Sequence, residues 1–275
     1  MGKSDSFKKE HNMNVGFIGA GNMGGALARA ISNDTETKVY IYDTNAEKAT
    51  KLASEIGAIG CELSLLLTES DFIFLGVKPN VISAVCEQIR DLLKKNTVLI
   101  SMAAGVKLAQ LDEALNAKSP VIRIMPNTPV TYGVGMTAWC KNSLVTDAMA
   151  KEFERIMAYT GAVDNIPEDN IDAFCAIAGC GPAYAYMFVD ALAKAGENCG
   201  LDRERALFYA SKMLAGAATM AEKSPLPPKT LCENVCSPGG STIEGVKVLE
   251  AEGFDATVQK AIVAAYNRTR ELGKK

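Results

Sequence analysis

Along the first half of the chain, apolar positions come in short runs bounded by glycine, proline and polar residues. Between the runs, apolar residues recur at helical spacing. Asn14-Val15-Gly16-Phe17-Ile18 predicts a strand, followed by a helical stretch to about Ile31. Lys38 to Asp43 predicts a second strand and Ala46 to Ile56 a helix. Asp71 to Val77, Thr97 to Met102 and Val121 to Met125 predict further strands. Helices are expected around Asn80 to Leu93 and Leu108 to Leu115. This βαβα rhythm implies a mainly parallel sheet with helices on both faces.

From about Glu168 the strand pattern stops. Ile171 to Ala178 predicts a helix that Gly179-Cys180-Gly181-Pro182 interrupts. Pro182 suits the first position of a new helix, Ala183 to about Asn198, which Gly200 ends. Asp202 caps another helix to about Lys223, and Pro225-Leu226-Pro227-Pro228 breaks it. A helix to Glu252, a stop at Gly253 and a last helix from Asp255 follow. An alanine-rich bundle this small leaves little private core, so it either pairs with a second copy or packs on the sheet domain.

The first strand leads into Gly19-Ala20-Gly21-Asn22-Met23-Gly24, which opens a helix, and Asp43 ends the second strand. That is the dinucleotide fingerprint of a Rossmann-type domain. Gly19 makes the turn, Gly21 lets a pyrophosphate approach, and Gly24 allows helix–strand contact. Asp43 either bonds the adenine ribose 2′-hydroxyl, which favours NAD, or caps the next helix. Lys48 is the nearest base for a 2′-phosphate. Val77-Lys78-Pro79 and Arg123-Ile124-Met125-Pro126-Asn127 end strands on the same sheet edge, where ligands bind such folds. Lys78 either meets the cofactor or is a solvated loop lysine. Asn127 can donate to a carboxamide. The expected organisation is a tail over residues 1–12, a dinucleotide-binding domain over 13–166, and a helical substrate-binding and dimerisation domain over 167–275.

Composition narrows the function. The 275 residues are 48% hydrophobic and 22% charged, as in globular proteins, and the net charge of −3 offers no electrostatic case for nucleic acid or an anionic membrane. No run of apolar residues approaches a membrane span, and the polar tail lacks the apolar core of a signal peptide. The eight cysteines include no Cys-x-x-Cys pair, and the one histidine, His11, lies in the tail, so no metal site is expected. Reduced thiols in a cytoplasmic protein are the expectation. Cys232 and Cys236, four apart, are either a redox pair or incidental.

The most specific stretch is Cys236-Ser237-Pro238-Gly239-Gly240-Ser241-Thr242, running into Ile243-Glu244-Gly245-Val246. Two hydroxyls flank a Pro-Gly-Gly turn at a helix start, where unpaired N–H groups favour a small anion such as a carboxylate. Ser241 and Glu244 also have capping-box spacing, so the loop can be read as a helix cap.

Together these residues resemble pyrroline-5-carboxylate reductases over nearly the whole chain. The resemblance rests on Gly19 to Gly24, Val77-Lys78-Pro79, Arg123 to Pro129, Gly181-Pro182-Ala183-Tyr184 and, above all, Asn234 to Ile243. It implies reduction of a cyclic imine to proline with NADPH or NADH, and an interleaved homodimer, often assembled into rings. It implies that the turn at Gly239 and the N–H groups of Gly240, Ser241 and Thr242 hold the substrate carboxylate. Ser237 and Thr242 would offer hydroxyls, with Thr242 near the ring nitrogen, and Asn234 would bridge substrate and cofactor. Two positions depart from the family pattern. Leu63 stands where asparagine often faces the adenosine ribose, and Ser241 where threonine or alanine is common.

The chemistry agrees. Hydride addition to a C=N carbon, best as the iminium, needs a held carboxylate and a donor near nitrogen, and no strong base. Dehydrogenases that use a histidine are excluded by the position of His11. Those with a lysine in the first helix of the second domain are excluded because Ala176 to Asp190 contains none. A reductase of a related imine or hydroxy acid, or a dinucleotide sensor, remains as an alternative.

Overall fold

The computed structural model describes residues 13–273; the expected tail, with His11, lies outside them. Strand β1 (Met13–Ile18) leads into helix α1 (Asn22–Ile31), then β2 (Thr37–Tyr42), α2 (Ala46–Ile56), β3 (Ile59–Gly60) and α3 (Leu63–Glu69). After β4 (Phe72–Leu75) come α4 (Ile82–Ile89), β5 (Val98–Ser101), α5 (Leu108–Ala114) and β6 (Val121–Pro126). Then follow β7 (Gly135–Lys141), α6 (Asp147–Met157) and β8 (Gly161–Asn165). The sheet order is β3-β2-β1-β4-β5-β6-β7-β8. All neighbours are parallel except β6 and β7, which are antiparallel. The chain reverses strand order beside β1, the switch point where α/β sheets bind ligands.

Successive strand residues point to opposite faces. Phe17, Phe72 and Phe74 therefore join a core with α1, α2 and α6. Ile18, Ile73 and Leu75 join another with α3, α4 and α5. Phe17 and Phe74, in register on neighbouring strands, stack with ring centroids 4.7 Å apart. Five elements of this part of the chain were not legible in the apolar pattern, namely the two-residue β3, the short α3, the mixed-polarity β7 and β8, and α6. The last is nevertheless capped by Thr146, whose side chain accepts from Met149 N.

The structure divides into two compact units, one holding residues up to Gly179 together with the chain from Tyr266 onward, the other Cys180–Ala265. Residues 167–179 pack within the first of these units. Buried Arg123 on β6 draws them there, its Nη1 donating to Glu168 Oε1 at 2.8 Å. Glu168 Oε1 also accepts Leu108 N, and Ile171 is fully buried.

Helix α7 (Ile171–Phe174) leads into a π-turn (Cys175–Gly179); after the turn residue Cys180, α8 (Gly181–Asn198) starts with Pro182 in its first turn, as the sequence predicts. The helical stretch Glu168–Asn198 contains a window of mean hydropathy 1.3. By length and composition it could cross a membrane, although the sequence suggested no such run. The second unit continues with α9 (Arg203–Lys223), α10 (Pro228–Val235), α11 (Ser241–Ala251) and the start of α12 (Phe254–Leu272). Asp202 caps α9 as expected, accepting Arg205 N at 2.9 Å. Among the described residues of this unit, only Ala193, Ala206 and Ala210 are buried hydrophobics, while Met187, Phe208 and Met220 are largely exposed.

Candidate active site

The glycine loop after β1 is built by one left-handed glycine and two close backbone approaches. Gly19 has φ +106°, a conformation that side chains disfavour. A Cβ on Gly24 would lie 2.5 Å from Gly19 O, and one on Gly76, just after β4, would lie 2.9 Å from the same atom. Gly76 was not singled out by any sequence motif. Gly21 differs, because a Cβ there would meet nothing within 4 Å. Its glycine identity is not required by the chain's own packing. Gly21 is also the N-cap of α1 and makes no side-chain cap bond. The helix start is therefore open to an anion, and Asn22 and Met23 form its first turn.

Asp43, half-buried at the end of β2, accepts Ala20 N at 2.8 Å through Oδ2 and Asn45 N at 2.8 Å through Oδ1. It does not cap α2. Asn45 does, accepting Lys48 N at 3.2 Å. A groove of about 440 Å³ runs from Ala20, Gly21 and Asn22 between α1 and α2; Lys48 and Lys51 line it, and Arg29 there is paired with Glu55. An open Gly21 and an uncapped helix start fit the diphosphate of a dinucleotide.

Gly76-Val77-Lys78 leaves the sheet on the same edge. Val77 is half-buried, while Lys78 and Pro79 are exposed. Asn127 follows β6 and is 9% exposed. Its Oδ1 accepts Met136 N at 2.9 Å, and its Nδ2 donates to Ala178 O at 3.0 Å. Pro182 has no N–H to give the carbonyl four residues before it, and Asn127 supplies that donor to Ala178. One Nδ2 hydrogen of Asn127 is thus committed to the backbone.

In the second unit, α10 ends at Val235 and the signature loop begins. Gly240 N donates to Ser237 O at 3.0 Å, closing a turn with Pro238 second and Gly239 third at φ +72°. A Cβ on Gly240 would sit 2.4 Å from Ser237 Oγ. The hydroxyl therefore folds back over the turn only because residue 240 lacks a side chain. Ser241 does not cap the following helix. It is the first helical residue, the N-cap is Gly240 with no side-chain cap bond, and Glu244 pairs with Lys247 at 2.7 Å. The capping-box spacing is thus not used as a cap, and the first N–H groups of α11 have no capping side chain. Asn234, Ser237 and Thr242 are exposed around this start. Within the first unit the structure gathers Gly19, Gly21, Gly24 and Asp43. Within the second it gathers Ser237, Gly239, Gly240, Ser241 and Thr242.

A doubly wound dinucleotide fold followed by a helical unit with an uncapped, hydroxyl-flanked helix start defines a two-part NAD(P)H-dependent oxidoreductase. A family model described as pyrroline-5-carboxylate reductase dimerisation matches residues 168–272. Another, described as NADP oxidoreductase coenzyme F420-dependent, matches residues 14–105. The pyrroline-5-carboxylate reductase of Escherichia coli K12 is 34% identical over 94% of this chain and 98% of its own. That of Arabidopsis thaliana is 37% identical over 98% and 97%. The crystal structure of a Plasmodium falciparum pyrroline carboxylate reductase with NADP bound superposes with a TM-score of 0.87 at 32% identity, covering 96% of this chain and 99% of that one. The chain belongs to the pyrroline-5-carboxylate reductase family.

Proposed function

We propose that the protein reduces 1-pyrroline-5-carboxylate to proline with NADPH or NADH. The observation that carries this is the Ser237–Thr242 turn, where Gly239 and Gly240 open the start of α11 with no side chain capping it. A carboxylate suits that place, because the N–H groups of Gly240, Ser241 and Thr242 converge there and the helix end carries positive partial charge. Ser237 and Thr242 hydroxyls lie on either side. Thr242 Oγ1 donates toward the imine nitrogen as the product amine forms, and Asn234 orients the ring. The bound cofactor supplies a hydride to the imine carbon. Gly19, Gly21, Asn22, Met23, Gly24 and Asp43 hold its diphosphate and adenosine. Val77, Lys78 and Pro79 line its path, and the second Nδ2 hydrogen of Asn127 serves its carboxamide. No protein base is required, since the iminium forms in water.

The expected organisation is a dinucleotide-binding domain over 13–166 and a substrate-binding and dimerisation domain over 167–275. Support for a homodimer comes from the second unit, whose apolar side chains are mostly exposed in one copy. A second copy, rather than a membrane, covers the apolar face of the Glu168–Asn198 helix, and dimers assemble into a larger ring. A cytoplasmic location agrees with eight cysteines of which none forms a disulfide. Nucleic acid is not a partner, on charge.

The test is oxidation of NADPH and NADH by the purified protein with pyrroline-5-carboxylate, with proline identified as the product. Proline should inhibit competitively against the imine. An imine lacking the carboxylate should lose severalfold or more in kcat/KM. Equal turnover of both imines would remove the loop from the mechanism. Cofactor binding without turnover would favour a dinucleotide sensor.

A further inference from the structure

The two thiols flanking Asn234 sit at the end of the helix that delivers the substrate loop. Cys232 is exposed on the last turn of α10 and Cys236 is half-buried at its C-cap, with φ −91° and ψ 89°. The two thiols are neighbours, and Cys232 is among the groups that raise the Cys236 thiol. Cα atoms four residues apart on a helix are about 6 Å apart, within the range of about 4.4–6.8 Å over which disulfides form. On a helix the Cβ atoms of residues four apart lie about 5–6 Å from each other, further than the roughly 3.8 Å that a disulfide requires. The bond can therefore close only if the last turn of α10 moves. Cys236 N is anchored to Glu233 O at 3.0 Å in that turn, and Ser237 follows immediately.

We propose that Cys232 and Cys236 are a reversible oxidation site, a dithiol that low-molecular-weight disulfides convert to an intramolecular disulfide, distorting the Ser237–Thr242 loop. The accessible Cys232 sulfur, as thiolate, attacks one sulfur of the small disulfide and releases one small thiol. Cys236 then gives up its proton and attacks the Cys232 sulfur, releasing the second. Two protein thiols lose two electrons, one small disulfide gains them, and the two protons end on the released thiols. Partial burial, the neighbouring Cys232 and the carboxylates of Glu250 and Glu233 raise the Cys236 thiol above its ordinary value. Cys236 is thus the slower of the two thiols to attack, and the exposed Cys232 reacts first. A disulfide held away from its preferred geometry is more easily reduced, which suits a reversible site.

The effect on catalysis rests on the loop's assignment as the carboxylate site; formation of the bond does not. The experiment treats the purified protein with oxidised glutathione, then alkylates it and sequences the peptide spanning both cysteines by mass spectrometry. The expected product is a 232–236 disulfide, lighter by two hydrogen atoms and absent in Cys232→Ser. Along with it, kcat/KM for the imine should fall about tenfold or more and return with dithiothreitol. Binding of NADPH, followed by its fluorescence, should be unchanged, and Cys232→Ser should keep its activity throughout. Two alkylatable thiols after treatment, or a disulfide with unaltered imine kinetics, would overturn the proposal. If the untreated protein does not reduce the imine, the assigned reaction fails while the peptide result still decides the disulfide.

Discussion

The Asp43 carboxylate accepts the backbone N–H of Ala20 at 2.8 Å, so the residue at the end of β2 also holds the glycine loop in place. Its other oxygen holds Asn45 N. Asp43→Asn keeps the shape but removes the charge and turns one oxygen into a donor facing an N–H. Loss of such a charge-assisted bond should lower kcat/KM for both cofactors by about tenfold. NADPH should lose less than NADH, because a carboxylate repels the 2′-phosphate. Steady-state kinetics with both cofactors give the ratio, and an unchanged ratio would assign Asp43 to the loop alone.

Gly21 and Gly76 should separate cofactor binding from folding. A Cβ at 21 meets no atom of the protein. Gly21→Ala is therefore expected to leave the thermal midpoint nearly unchanged while raising KM for NAD(P)H by about tenfold or more. Gly76→Ala puts a Cβ 2.9 Å from Gly19 O, backbone against backbone. It should cost about 1–3 kcal/mol of stability and cofactor affinity as well. Thermal denaturation with and without NADPH checks both.

Thr242 tests the hydroxyl at the nitrogen. Thr242→Ala keeps the backbone N–H and removes the donor, so kcat should fall about tenfold, less than the roughly 10²-fold of a strong oxyanion donor. Thr242→Ser should be nearly neutral. A Thr242→Ala variant with kcat, KM and proline inhibition all within about twofold would reduce Thr242 to a backbone contact.

Asp34 carries a pH signature. It is 3% exposed. Burial works against its charge, but the Thr37 hydroxyl, Arg155 at 2.6 Å and Glu36 N–H outweigh it and hold the carboxyl below its ordinary value. A lowered folded value means that its contribution is complete above about pH 4 and is lost as pH falls through the folded value. Asp34→Asn should destabilise the protein by about 1–3 kcal/mol at neutral pH and flatten the acid limb of the stability profile. Chemical denaturation from pH 7 downward measures this.

The fold is legible in the sequence where the physics is local. Short apolar runs marked β1, β2, β4, β5 and β6 because each is buried on both faces. The Gly19–Gly24 spacing marked the loop because the turn and the helix start lie within six residues. Gly76 stayed hidden because its requirement is tertiary, set by the Gly19 carbonyl from another strand. β7 and β8 stayed hidden because Gly135, Thr137 and Asp164 dilute the strand pattern. The Gly179–Pro182 stretch marked the start of α8 because Pro182 suits a helix's first turn, whereas the π-turn before it stayed hidden because Asn127, far away in sequence, satisfies Ala178 O. Ser241 and Glu244 have the spacing of a cap, but the Ser237–Gly240 turn places residue 241 inside the helix.

The two ends of the sheet bear on how copies of this chain can meet. An unpaired strand edge is a template for another chain, and long flat edges invite fibrous association. Here β3 offers two residues, and β8 ends in Asp164-Asn165 with its last residues exposed. A neighbouring copy therefore gains almost no hydrogen-bonded ladder at β3, and along the five residues of β8 it would have to bury the Asp164 carboxylate. Self-recognition through added strands is disfavoured by construction, so the sheet can sit at high local concentration inside an assembly without nucleating aggregation.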